Sequence, residues 1–206
     1  MKVLVACECS GTVRDAFIGR GHDAVSCDLQ PTDADGPHYV GDVCDIINDG
    51  WDLMIAHPPC TYMSCAGACR MYPTKGQVDY GRLLKGQEAK AFFMLCLNSD
   101  IPKICVENPL PLKIIGLPKP TQQIQPYEYG DPYSKRTLLW LKNLPRLQPT
   151  NVLKRWQPFI ASGTSRNKGK TKGMSFAAGS KARSITFQGI ADAMADQCGD
   201  PKQQTL

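Results

Sequence analysis

The sequence predicts a mostly parallel α/β sheet flanked by helices, and three observations predict it. Apolar runs of strand length alternate with segments of helical period. Acidic or glycine-bearing turns follow those runs, where an open α/β sheet presents its strand ends. A length of 206 residues with 42% hydrophobic content suits a single core, so one domain over 1–206 is expected.

The elements follow in order. Val3 to Cys7 reads as a strand, and the stretch from Gly11 to Arg20 reads as a helix because Val13, Phe17 and Ile18 recur at helical spacing. Ala24 to Cys27 gives a second strand with Asp28 at its carboxyl end, and Asp42 follows in an acidic turn. Leu53 to Ala56 is the next strand. Leu83 to Leu97 suits an amphipathic helix whose inner face carries Leu84, Ala91, Phe92, Leu95 and Cys96. Lys103 to Val106 returns as a strand ending at Glu107, Thr137 to Leu141 is a strong strand, and Phe187 to Gln197 is a closing helix. Pro145, Pro149 and Pro158 mark the stretch between these last two as loop.

Composition narrows the function classes. Ten cysteines spread through strand-like and helix-like runs do not make a secreted disulfide scaffold. The apolar start, interrupted at Glu8, is too short for a signal peptide, and no membrane span is expected. Reduced thiols in a cytoplasmic protein are the expectation. The net charge of +5 is unevenly placed, because no Asp or Glu occurs between Lys154 and Arg183. The glycine-interleaved stretch carrying Lys168, Lys170 and Lys172 reads as a basic loop able to follow a phosphate backbone.

Cys60 is the chief candidate for chemistry. The run from Trp51 to Ala56 delivers it through His57-Pro58-Pro59, and two prolines fix the backbone and end the ladder just before the thiol. Glu107, followed by Asn108, closes another predicted strand and opens onto the same edge. Thiolate addition to C6 of a pyrimidine makes C5 nucleophilic when N3 takes a proton, and a buried carboxyl with a raised pKa can give it. Such a thiolate needs a nearby cation, for which Lys135 and Arg136 are candidates. At other strand ends, Asp28 suits ribose hydroxyls, Asp42 can accept from an exocyclic amine, and the turn Cys7-Glu8-Cys9-Ser10-Gly11 allows close backbone approach to a ligand. Each acid also reads as an ordinary turn or cap residue. Cys60, Cys65, Cys69 and His57 prompt a metal or redox reading, but they lack the paired ligand spacing of zinc sites.

The order of these motifs resembles the cytosine-C5 DNA methyltransferases, most of all the small methyltransferase-like proteins of bacteriophages. Val3 to Phe17 is similar to the first cofactor motif, Asp28 to its ribose-binding acid and Asp42 to its adenine-contacting acid. His57-Pro58-Pro59-Cys60 resembles the catalytic Pro-Cys loop, and Glu107-Asn108-Pro109 resembles the Glu-Asn-Val motif. The stretch from Tyr129 to Arg136 looks like the Tyr-Gly-Val-Pro-Gln-Ser-Arg motif with Lys135 at its first arginine, and Gly189 to Ala195 is similar to the final helix.

The resemblance implies a Rossmann-like fold and an S-adenosylmethionine-dependent enzyme that methylates C5 of cytosine in DNA. Cys60, Glu107 and Lys135 are then catalytic. Cys7, Glu8, Ser10, Gly11, Asp28, Asp42 and Pro58 hold the cofactor, while Pro59, Asn108, Arg136, Lys168, Lys170 and Lys172 meet duplex DNA, single-stranded DNA or a cytosine nucleotide; no metal is implied. The cytoplasm of a bacterial host is the implied location if a phage encodes the chain. The chain departs from the pattern in having His57 where Gly or Phe is usual, a reduced Phe-Gly-Gly motif and a target-recognition region shrunk to the basic segment 147–183. A catalytically silent DNA- or cofactor-binding regulator is the other reading.

Overall fold

A computed structural model of the chain describes residues 1–159 and 184–199. Its principal feature is a seven-stranded sheet built from β1 (Lys2–Ala6), β2 (Asp23–Asp28), β3 (His38–Val40), β4 (Leu53–Ala56), β5 (Lys103–Pro109), β6 (Gln122–Ile124) and, further along the chain, β8 (Thr137–Lys142). The spatial order is β3-β2-β1-β4-β5-β8-β6. The first five are parallel, and β8 runs antiparallel to both β5 and β6. This is the mostly parallel α/β sheet that the sequence predicts. Between β6 and β8 lies β7 (Tyr133–Ser134), which pairs in a separate parallel ribbon with β9 (Gln157–Pro158).

β4 is buried along its whole length and β1 nearly so, which is why both read as unbroken apolar runs and not as alternating ones: helices cover both faces of the sheet. On one face pack α1 (Thr12–Ile18) and, after the short α2 (Ala68–Met71) and the long α3 (Tyr80–Asn98), the closing helix α4 (Gln188–Cys198). Val5, Val13, Phe17, Ile55, Cys105, Ile190 and Met194 share that core. α3 covers the other face with Phe93 and Cys96 against Leu4, Met54, Ile104 and Trp140. Phe93 meets Trp140 edge-on, ring centroids 4.9 Å apart.

The inner face of α3 differs from the sequence expectation. Gly86, Phe93 and Cys96 are buried, whereas Leu84 is 63% exposed and Leu95 43% exposed. Apolar residues occur on all sides of this helix, so its composition does not define a stripe. Cys96 lies on both the expected and the observed face. The strands β3, β6, β7 and β9 have two or three residues each, below the length at which a two-residue period can be read. The strand expected to end at Glu107 continues to Pro109, so Glu107 and Asn108 lie within the ladder opposite Leu139 and Leu138.

Candidate active site

The carboxyl ends of β1, β4 and β5 lie side by side because these strands are adjacent and parallel. The order reverses between β1 and β4, and such a switch point is where ligands gather in an open α/β sheet.

At the end of β1 the chain leaves the ladder through Cys7, which takes a left-handed backbone with φ 60°. Gly11 caps α1 at φ 77°, a conformation that suits a residue without Cβ. The Glu8 carboxylate folds back over the helix start. It accepts from Val13 N at 2.8 Å, Arg14 N at 3.2 Å and the Ser10 hydroxyl at 3.1 Å. Glu8 therefore satisfies orphan amides and sits against the positive end of α1. Behind this turn the buried Arg14 guanidinium donates to Ser26, Thr32 and the carbonyls of Ala34 and Asp35, fixing the loop after β2.

Asp28 ends β2 and accepts from Gln30 N at 2.9 Å, and Asp42 follows β3 and accepts from Cys44 N at 2.9 Å. The latter bond holds the Asp42 carboxyl below the usual carboxylate range. Burial, reinforced by the charges of Asp28 and Asp42 among others, pushes the Cys7 thiol far above its ordinary value, so these three groups share one neighbourhood.

β4 hands its register to the turn from His57 to Cys60. His57 N still donates to Ala6 O at 2.9 Å, as a fifth strand residue would. Pro58 is buried and Pro59 exposed. Cys60 O then accepts from Met63 N and Ser64 N at 3.0 and 2.9 Å, closing a turn that leaves Cys60 partly accessible. Asn108, 1% exposed, donates Nδ2 to Pro58 O at 3.0 Å and pins the proline turn to β5. Because Ala56 pairs with Val106, His57 falls next to Glu107, and its Nδ1 lies 3.5 Å from Glu107 Oε2. His57 Nε2 and Asn108 Oδ1 are buried with no hydrogen-bond partner among the described residues.

Proton placement departs from the sequence expectation. Burial pushes the Cys60 thiol up, the negative charge of Glu107 adds to this, and Lys135 opposes it without prevailing. Burial also pushes the Glu107 carboxyl up, but the hydrogen bond to His57 and the positive charges of Lys135 and His57 outweigh it, leaving the carboxyl below its usual range. The raised carboxyl and stabilised thiolate expected from the sequence are thus both reversed in the ligand-free protein.

Lys135 follows β7, and its ammonium lies 5.7 Å from the ring centroids of both Phe159 and Phe187. Those rings and Tyr133 form a cluster with centroids 5.1–5.6 Å apart. The sequence did not single out this cluster, because its members lie 26 and 28 residues apart and meet only when β9 pairs with β7 and α4 returns to the sheet. Arg136 is exposed at the start of β8. Lys168, Lys170 and Lys172 lie outside the described residues. No three His, Cys, Asp or Glu side chains among the described residues are grouped as metal ligands, and no described helix is long and apolar enough to cross a membrane.

No family model matches the sequence, and no curated protein is similar to it. Among solved structures, the chain is similar to a protein described as a DNA modification methyltransferase encoded within a prophage of E. coli, with 16% identity, a TM-score of 0.46, and coverage of 74% of this chain and 52% of that one. It is also similar to a mutant of Spodoptera frugiperda DNMT2, with 14% identity, a TM-score of 0.36, and coverage of 77% and 55%. The chain spans about half the length of each.

Proposed function

We propose that this chain transfers a methyl group from S-adenosylmethionine to C5 of cytosine in nucleic acid, with Cys60 as nucleophile. The observation that carries the reading is the meeting of a proline-aimed thiol with a strand-borne carboxyl at a sheet switch point, under the field of a single lysine. The cofactor suits the other half of the same edge. Asp28 at the end of β2 is assigned to the ribose hydroxyls and Asp42 after β3 to the adenine amine, and the backbone from Cys7 to Gly11 bends through two left-handed residues without a side chain at Gly11. Glu8 serves this pocket by building the turn, since its carboxylate is engaged by α1 and Ser10. When bound, S-adenosylmethionine supplies an electrophilic methyl group.

The protein's own residues do the rest. Cys60 loses its proton and its sulfur adds to C6. Glu107 delivers a proton to N3, so the electron pair accumulates at C5 and takes the methyl group. A base then removes the C5 proton, the sulfur is expelled from C6 as thiolate, and the N3 proton returns to Glu107, leaving 5-methylcytosine and the demethylated thioether of the donor. With the Cys60 thiol pushed up and the Glu107 carboxyl pushed down, the addition requires a proton to leave Cys60 and one to reach Glu107 as the pyrimidine binds. His57, bonded to Glu107, is the side chain placed to steady that carboxyl. The proposed setting is the cytoplasm, of a bacterial host if phage-encoded, where thiols stay reduced.

The test is transfer of labelled methyl to unmethylated duplex DNA, single-stranded DNA and dCMP, with nucleoside mass spectrometry. Wild type yields 5-methylcytosine and Cys60→Ser yields none above background. Cofactor binding without any labelled acceptor would replace this reading with the silent regulator.

A further inference from the structure

A second aromatic group lies on the surface beside the site. Tyr127 and Trp156 are stacked, with ring centroids 4.9 Å apart and planes 13° from parallel, and Trp156 is still 49% exposed. The other two tryptophans, Trp51 and Trp140, are 6% and 2% exposed, so this indole is placed unlike its siblings. Its neighbours Lys154 and Arg155 are exposed, and no acidic residue occurs from Lys154 to Phe159. An exposed indole whose two preceding residues are exposed cations matches one polymer well: a strand of unstacked bases on a phosphate backbone.

The platform is tied to the chemistry through the backbone. Leu153 N donates to Tyr127 O at 2.8 Å, Gln157 N to Pro132 O at 3.0 Å and Phe159 N to Ser134 O at 2.9 Å. The register Tyr133 to Gln157 sets Trp156 beside Pro132, three residues before Lys135. At the rise of an extended chain, the three residues from Pro132 to Lys135 span roughly 10 Å.

We propose that Trp156, backed by Tyr127 and flanked by Lys154 and Arg155, is a stacking platform for a base of single-stranded nucleic acid flanking the one presented to Cys60. The proposal deepens the reading above by choosing a polymer over a free nucleotide, and it rests on that reading for its link to the chemistry.

Oligothymidylate is the probe, because it contains no cytosine and so reports the platform and not the catalytic pocket. Added to the full chain, a 12-mer quenches tryptophan emission, whereas dTMP at equal phosphate concentration does not. Trp156→Leu removes the quenching and weakens binding of the labelled 12-mer about tenfold, and Trp156→Tyr restores most of the affinity. Lys154→Ala and Arg155→Ala each flatten the dependence of log affinity on log salt by about 0.7. Equal oligonucleotide affinity in Trp156→Leu and wild type overturns the proposal. So does tighter binding of a duplex with the same Trp156 dependence, or a change in oligomeric mass in Trp156→Leu with oligonucleotide affinity intact, which would assign the face to a second copy. Trp156-dependent binding with no methylated cytosine product would keep this proposal and sink the enzymatic one; methyl transfer with no Trp156 dependence of binding would do the reverse.

Discussion

The Cys60 thiol and the Glu107 carboxyl act on one another across the turn, and Lys135 acts on both. Removing the carboxylate charge in Glu107→Gln takes away a cause of the raised thiol value, so more thiolate is present at a fixed pH below that value. Alkylation of Cys60 by iodoacetamide at neutral pH, followed on the Cys60 peptide by mass spectrometry, is therefore expected to speed up by up to roughly tenfold. Lys135→Met removes the opposing charge and is expected to slow it. On the proposed function both variants lose methyl transfer, Glu107→Gln by about 10²–10⁴-fold. A more reactive thiol with less transfer separates a charge effect from a folding defect, and slower alkylation in Glu107→Gln would refute the electrostatic picture. Cys60 is legible in the sequence because two prolines before a cysteine have a local backbone consequence. The protonation of the pair is not legible, because Cys60 feels Glu107 and Lys135, 47 and 75 residues further along the chain, whose positions come from strand pairing.

Among the elements, α1 and α4 show how the end of the chain holds its beginning. Arg20, just past α1, donates to Asp192 Oδ1 at 3.1 Å, to Asp196 Oδ2 at 3.0 Å and to Asp196 Oδ1, all on α4. These acids are about half exposed, so solvent screening limits the pairing to about 1 kcal/mol, and Arg20→Ala is expected to lower Tm by about 2–4 °C. The hydrogen bond to Arg20 holds the Asp196 carboxyl below its ordinary value. A depressed acid stabilises the fold above its unfolded pKa, and this contribution is lost as pH falls through the folded value. The Tm gap between wild type and Arg20→Ala should thus be full at neutral pH and close in acid, and a gap that widens in acid would exclude the pairing. α4 announces itself in the sequence by a clean stripe of small and apolar residues. Its approach is set by Gly189, where a Cβ would collide with Tyr129 O, a contact made between distant segments and so invisible in the sequence. The inner face of α3 was hidden for a different reason: the helix has apolar residues on all sides, and Phe93 is selected by the sheet face it meets, including the Trp140 ring.

In the whole molecule, the site is a seam between two cores. The same strands, β1, β4 and β5, send alternate side chains to the face under α1 and α4 and to the face under α3. Loss of either core strips one side from β1, β4 and β5, the strands that carry Cys7, His57 and Glu107 at the site, so the two faces are expected to unfold as one unit. Cys198 reports the first core and Cys96 the second, and both thiols are buried and unpaired in the native state. In urea, their labelling by a thiol reagent should rise at a single midpoint, while exposed Cys44, Cys65 and Cys69 react from the start. Met194→Ala, which opens a cavity in the first core alone, should cost about 2–5 kcal/mol and move both midpoints together. Were Cys198 to become reactive well before Cys96, α4 would be a separately melting cover and the edge that carries Cys60 and Glu107 would outlast it. A shared midpoint means that the stability of the thiol–carboxyl pair belongs to the entire sheet.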